Sequence, residues 1–249
     1  MVRRGLVTSR TEASGLIDER RVLVNGAVAE KAARQVGAAD AVHVTGEPPR
    51  YVSRGGQKLE AALEAFSLDV VGLDVLDAGA STGGFTDCLL QHGAARVIAL
   101  DVGHGQLHPR IRDDERVEVI ERCNVRDVAA EHLPFVPQMI VADLSFISLT
   151  KVIPALVNLI APGGHLVLLV KPQFEAGRRE VGRGRGVITD PDVHRRVCDE
   201  IAAALVGTGC VVLGWCDSPL TGSDGNREFL VDAVAPDRAA ARSTADVCA

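Results

Sequence analysis

Residues able to do chemistry fall at the ends of apolar runs. The stretch VLDAGASTGGFTD (75–87) is an apolar strand that ends on Asp77, followed by a glycine-rich turn and the start of a helix. Four further charged residues are placed in a comparable way. Asp143 follows QMIVA, Lys171 follows GHLVLLV, Glu228 begins a final strand, and Lys58 stands early in the helix before the first of these strands.

The turn narrows the ligand. A dinucleotide turn reads GxGxxG, and its second glycine lets the backbone touch a pyrophosphate. Here Ser81 stands two places after Gly79, and Gly83 and Gly84 follow, so that glycine is missing. Asp77 would repel a phosphate and attract an ammonium and a sulfonium, both of which S-adenosylmethionine carries. Asp101 ends the next strand, where a carboxylate suits the two hydroxyls of a ribose. NAD has such a ribose as well, so Asp101 alone does not discriminate; the turn favours adenosylmethionine. The plain alternative is a glycine turn that only packs a helix on a sheet.

Taken singly, each of the four charged residues has an ordinary explanation. A lysine ending a strand is solvated, Asp143 caps the next helix, and Glu228 protects a sheet edge. Together they suit methyl transfer to a hydroxyl. In an in-line displacement from a sulfonium, a base must take the hydroxyl proton, and much of the acceleration comes from alignment. A lysine acts as base when desolvation or a second cation lowers its proton affinity. Lys171 with Lys58 nearby would meet that condition, with Asp143 and Glu228 orienting the amines. Residues 143–146 read Asp-Leu-Ser-Phe, without the Pro-Pro pair of amino-group methyltransferases. Phe146 is either a stacking surface for a base or a core residue.

The elements that must position these residues come in two parts. In residues 1–46, a helix capped at Thr8 or Ser9 carries Ala13, Leu16 and Ile17 at helical spacing. A hairpin about Asn25-Gly26 and a last strand, AVHVTG, follow. GEPPRY gives an extended linker at 47–52. From residue 53 to 235 strands and helices alternate: helix 54–66 with Leu59, Ala62, Leu63 and Phe66 on one face, then strands 73–78, 95–101, 117–121, 138–143 and 164–170. A Gly/Arg-rich loop runs from Lys171 to Asp190, helix 191–206 follows, and strands 209–216 and 227–234 close the chain. Inner strands apolar on both faces predict an α/β fold with a largely parallel sheet covered on two sides. Ligands then bind beyond the carboxyl ends of the strands. Residues 236–249 read as a tail without regular structure.

Bulk properties set bounds. The chain has 249 residues and a formal charge of −6. Residues 1–60 hold 10 Lys/Arg against 7 Asp/Glu, and residues 171–196 hold 7 against 4, so two basic patches sit on an acidic body. Such patches can follow a phosphate backbone. No apolar run approaches the roughly 18 residues of a membrane helix, and MVRRGLVTSR is not a secretory signal. A soluble cytoplasmic protein is expected. The six cysteines lack CxxC spacing and read as free thiols, and no metal is expected.

DAGASTGGFT (77–86), DVGHGQL (101–107), ADLSFISL (142–149), VKPQFEAG (170–177) and GNREFL (225–230) resemble the TlyA family of ribosomal RNA 2′-O-methyltransferases. The resemblance spans about residues 3–234. It implies a Rossmann-like class I methyltransferase sheet of the FtsJ type, preceded by a small α+β RNA-binding domain like that of ribosomal protein S-four. It implies a catalytic set at Lys58, Asp143, Lys171 and Glu228. It places S-adenosylmethionine on Asp77, Gly79, Ala80, Ser81, Thr82, Gly83, Gly84, Phe85, Asp101 and Val102, with a polar contact near the adenine at Asn124 or Asp127. Arg50-Tyr51-Val52 resembles a segment coupling RNA binding to the site. The implied partners are ribosomal RNA or ribosomal subunits. Candidate contacts read from charge and position are Arg3, Arg4, Arg10, Arg20, Arg21 and the GRGRG loop (182–186), with Phe146 against a base; the loop reads at least as well as a solvated connector. The implied substrates are cytidine 2′-hydroxyls in 16S or 23S RNA, whose methylation sensitises ribosomes to capreomycin-type antibiotics. The chain departs from the family in beginning at Met1-Val2-Arg3-Arg4, inside the first helix of the RNA-binding domain: either the true start lies upstream, or the domain is shortened and its RNA grip weaker. The family also carries a haemolysin label. The other readings are a membrane-active haemolysin, an RNA-binding module without catalysis, and a small-molecule methyltransferase.

Overall fold

The computed structural model describes residues 1–7, 10–46, 49–177, 186–222 and 224–237. The chain divides into two compact units, Met1–Arg54 and Gly55–Ala249. In the first, a short 3-10 helix (Val2–Arg4) and α1 (Arg10–Asp18) precede three strands, β1 (Val22–Val24), β2 (Ala27–Val28) and β3 (Val42–Val44). β1 lies between β2 and β3, antiparallel to both. The β1–β2 connection is Asn25-Gly26, both at positive φ, as a two-residue hairpin of this twist requires. Leu16 and Ile17 of α1 pack with Val22, Val24 and Ala29 into a small core of their own. The expected caps of α1, Thr8 and Ser9, lie outside the described residues, as do the linker residues 47–48, most of the GRGRG loop and the tail beyond Asp237.

The second unit opens with α2 (Gly55–Ala65), whose Leu59, Ala62 and Leu63 are buried as their spacing predicts. Then come β4 (Asp74–Ala78), α3 (Gly84–Gln91), β5 (Arg96–Leu100), α4 (Pro109–Arg112) and β6 (Val117–Ile120). β7 (Met139–Ala142), α5 (Ile153–Leu159), β8 (His165–Val170), α6 (Pro172–Glu175), α7 (Pro191–Gly207), β9 (Val211–Asp217) and β10 (Phe229–Val234) complete it. The seven strands form one sheet in the order β6-β5-β4-β7-β8-β10-β9. β4 to β8 run parallel, and β10 enters antiparallel between β8 and β9. Every residue of β7 is buried and so are five of the six in β8, the signature of a sheet covered on both faces.

The topology decides where chemistry can occur. From β4 the chain runs outward to β5 and β6, then crosses to β7 on the other side, so a crevice opens beyond the carboxyl ends of β4, β5 and β7. Because β10 is antiparallel to β8, its first residue lies at that same edge. One element differs from expectation. The loop predicted from Lys171 onward begins with the single turn of α6, with Pro172 at its first position, where a missing N–H costs nothing.

Gly79 makes the first turn possible. It has φ of +89°, and a Cβ there would lie 2.6 Å from the backbone oxygen of Asp143. Gly79→Ala is expected to destabilise this unit by about 2–4 kcal/mol, from left-handed strain plus the clash. Denaturant unfolding compared with the parent protein measures it; an unchanged midpoint would show that the two loops are not in contact.

Candidate functional site

Asp77, near the end of β4, is wholly buried. Thr86 Oγ1, one turn into α3, donates to its Oδ2 at 2.6 Å, while Oδ1 is sealed from solvent without a hydrogen-bond partner. Burial pushes this carboxyl up to about 7; the Thr86 bond opposes the rise, and the charges of Asp143 and Asp101 add to it. An orphaned carboxylate oxygen beneath a glycine turn fits a cationic ligand group such as the ammonium of adenosylmethionine, and not a phosphate.

The turn is held from the side by Asp101. Its Oδ2 accepts from the backbone N–H of Ser81 at 2.8 Å, and its Oδ1 accepts from that of Gly103 at 2.6 Å. Gly79 and Ala80 N–H both donate to Leu100 O. Ser81, at φ of +49°, is exposed, Thr82 is half-buried, and Gly83 sits against Leu107 and Ile111. Gly84 and Phe85 open α3 in buried positions, and Val102 is exposed beside Asp101. Asn124 spends its Oδ1 capping a short 3-10 helix through Arg126 N–H, and Asp127 is exposed. Glu121 was not singled out from sequence. It accepts from Gly105 N–H at 2.9 Å, bonds His104 Nδ1 at 2.8 Å and pairs with Arg112, so it pins the loop after Asp101. Its signal was the same as that of Asp101, an acid just past a strand end.

The four charged residues meet as two ion pairs. Lys58 Nζ lies 2.5 Å from Glu228 Oε2, and Lys171 Nζ lies 2.5 Å from Asp143 Oδ1. Phe229 pairs with Val170 across β10 and β8, so Glu228 and Lys171 are the next residues along those strands and stand side by side. Lys58, Lys171 and Glu228 are all buried. Lys171 also donates to Ser145 Oγ at 2.9 Å. Glu228 is backed by main chain: a Cβ on Gly222 would fall 2.6 Å from its Oε1. Buried Asn226 holds that region by donating to Gly186 O and accepting from Ile188 N–H, both at 2.9 Å.

Phe146 is 91% exposed, which corrects the core alternative. It has φ of +63°, a left-handed bend that turns the ring outward, where it meets the Phe174 ring at 5.1 Å. Glu175 ties the two loops together by accepting from Ser148 Oγ at 2.5 Å and Leu149 N–H at 2.8 Å.

In the first unit, Arg4 donates to Asp40 O and Gly37 O, both at 2.6 Å, and Arg21 donates to Thr45 O at 2.9 Å. These two arginines hold their own domain together. Arg20 pairs loosely with Glu30 at 3.4 Å, and Arg3 and Arg10 are exposed.

Comparison with known proteins accords with this geometry. Residues 51–234 match the FtsJ-like methyltransferase family, and residues 1–42 match the S4 domain. The chain is 46% identical, over 93% of its length and 86% of the other's, to the 16S/23S rRNA (cytidine-2′-O)-methyltransferase TlyA of Mycobacterium tuberculosis. The chain belongs to the TlyA family of FtsJ-like methyltransferases. Two solved relatives are named as hemolysins. One, from Streptococcus thermophilus, has 39% identity and a TM-score of 0.78 and covers 94% of this chain and 86% of that one. The other, from Lactococcus lactis, has 46% identity and a TM-score of 0.74 and covers 76% and 91%. Within this methyltransferase fold the sheet order places both ion pairs and Asp77 at one edge.

The buried acid has a measurable consequence. Its folded value, about 7, exceeds the unfolded 3.8, so between these the folded chain keeps a proton that the unfolded chain has released. Stability therefore falls as pH rises through that window. In the ligand-free protein, Asp77→Asn is expected to raise stability at pH 8 by on the order of 3 kcal/mol and to do little at pH 4. Denaturant titrations at the two pH values provide the check; an equal effect at both would contradict the buried, orphaned carboxylate.

Proposed function

We propose that this methyltransferase modifies the 2′-hydroxyl of cytidine in ribosomal RNA, 16S, 23S or both, using S-adenosylmethionine. The observation that carries the reading is the gathering of Lys171–Asp143 and Lys58–Glu228 at the edge where Asp77 keeps an unpartnered oxygen. When bound, adenosylmethionine supplies a methyl group activated by its sulfonium. Asp77 would hold its ammonium, Asp101 its ribose, and the segment about Asn124 and Asp127 its adenine. Lys171, in its neutral form, would take the proton from the 2′-hydroxyl as that oxygen accepts the methyl group the cofactor would supply. Asp143 orients Lys171, and the Lys58–Glu228 pair stands beside it. Residues 1–46 bring the RNA, residues 53–235 carry out transfer, and the protein works in the cytoplasm, where ribosomes are. The Mycobacterium tuberculosis relative, a 16S/23S rRNA (cytidine-2′-O)-methyltransferase, supports this substrate.

Lys171→Ala is expected to abolish methyl transfer to ribosomal RNA while changing cofactor affinity by less than about threefold. Labelled adenosylmethionine with calorimetry separates the two, mass mapping of the RNA identifies the nucleotide, and full activity in the variant removes the proposed base. Binding to ribosomal RNA should weaken steeply with salt, losing roughly 0.7–0.9 logarithmic units per tenfold rise in salt for each phosphate neutralised. A flat response would rule out an electrostatic grip by Arg3, Arg10 and Arg20.

The hemolysin names of two relatives raise a second reading. No helix among the described residues is long and apolar enough to cross a membrane. Leakage of liposomes caused by the purified protein would favour that activity.

A further inference from the structure

We infer that Ser145 is a positioning residue that aims the lone pair of Lys171, an inference that rests on Lys171 being the base. A neutral amine carries two N–H bonds and one lone pair, arranged tetrahedrally with its carbon. Lys171 Nζ donates a hydrogen bond to Ser145 Oγ at 2.9 Å, and Asp143 Oδ1 lies 2.5 Å away as its ion-pair partner, close enough to take a second N–H after a small turn of the carboxylate. When each takes one N–H, a single direction is left for the lone pair. With one acceptor removed, the amine rotates about its Cε–Nζ bond and the lone pair samples several directions, so fewer encounters with a hydroxyl are productive.

The placement of the second acceptor is built into the fold. Ser145 is exposed while Lys171 is buried, so the serine marks the open side of the amine. Its neighbour Phe146 holds a left-handed backbone at φ of +63°, a conformation that bulky residues adopt only when their surroundings impose it. Those surroundings are visible. The Phe146 ring rests on Phe174, and Ser148 and Leu149 are both bonded to Glu175. Phe174 and Glu175 belong to the helical turn that directly follows Lys171. The bend that carries the serine is thus braced against the segment that carries the lysine, and the Oγ–Nζ distance is set by both loops.

The experiment measures methylation kinetics on purified ribosomal subunits lacking the modification, with tritiated adenosylmethionine, for Ser145→Ala, Ser145→Thr and Lys171→Ala. Ser145→Ala should lower kcat by about 10- to 100-fold, while KM for subunits and the cofactor Kd stay within about twofold. Ser145→Thr, which keeps the hydroxyl, should retain activity within about threefold. Parent-like kcat in Ser145→Ala, with Lys171→Ala inactive, overturns the positioning role and leaves the base in place. Ser145→Thr as impaired as Ser145→Ala, with cofactor Kd unchanged, also overturns it. Full activity of Lys171→Ala instead overturns the base assignment beneath it.

Discussion

Burying charge is costly unless every charge has a partner, and the sheet edge that carries Lys58, Asp143, Lys171 and Glu228 is arranged around that constraint. Two lysines and two carboxylates, three of the four residues buried, would each be prohibitive alone. As Lys58–Glu228 and Lys171–Asp143 they neutralise each other at 2.5 Å. Removing one member of such a pair strands the other, at a cost of roughly 3–5 kcal/mol. The pairs therefore tie the elements that carry them: the end of β8 cannot shift against the end of β7, nor α2 lift from the start of β10, without separating charges.

Asp77 is the buried carboxylate at this edge that has no ion-pair partner among the described residues. Its Oδ1 lacks a partner among the described residues, and its pKa is raised to about 7, mainly by burial and in part by the charges of Asp143 and Asp101. A fold optimised for stability alone would place a neutral residue there. Destabilisation of this kind is tolerated where a ligand can relieve it, and a cation beside the glycine turn would do so. The same economy appears around Lys171. Asp143 neutralises it, Ser145 shares its hydrogens, and Phe174 lies 5.9 Å away as an apolar wall. Glu175, itself pushed upward in proton affinity by burial, sacrifices solvation to lock the two loops together.

Much of this was legible in the primary structure. Apolar runs ending on Asp77, Asp101, Asp143 and Lys171 are strands ending at one edge, because parallel strands share a direction. The hairpin at Asn25-Gly26 and the buried face Leu59, Ala62, Leu63 follow from backbone preference and helical spacing. Other features were not legible. Ser145 is an ordinary loop serine until Lys171 is found beside it. Glu175 has no spacing signature, since its partners, Ser148 Oγ and Leu149 N–H, lie on a distant loop. Asn226 resembles a turn residue, yet it is buried and bonded to residues 186 and 188. Phe146 read equally as core or surface, because the sign of its φ depends on packing against α6.

By itself, then, the amino-acid sequence determined the alternation of elements, the glycine turn and the chemical types at the strand ends, all of which depend on interactions within a few residues. Which lysine meets which carboxylate was decided only by tertiary structure. Lys58 and Glu228 are 170 residues apart, and their pairing depends on the antiparallel entry of β10 beside β8. Local preferences carry no information over that distance; strand register does, and register exists only once the sheet has formed.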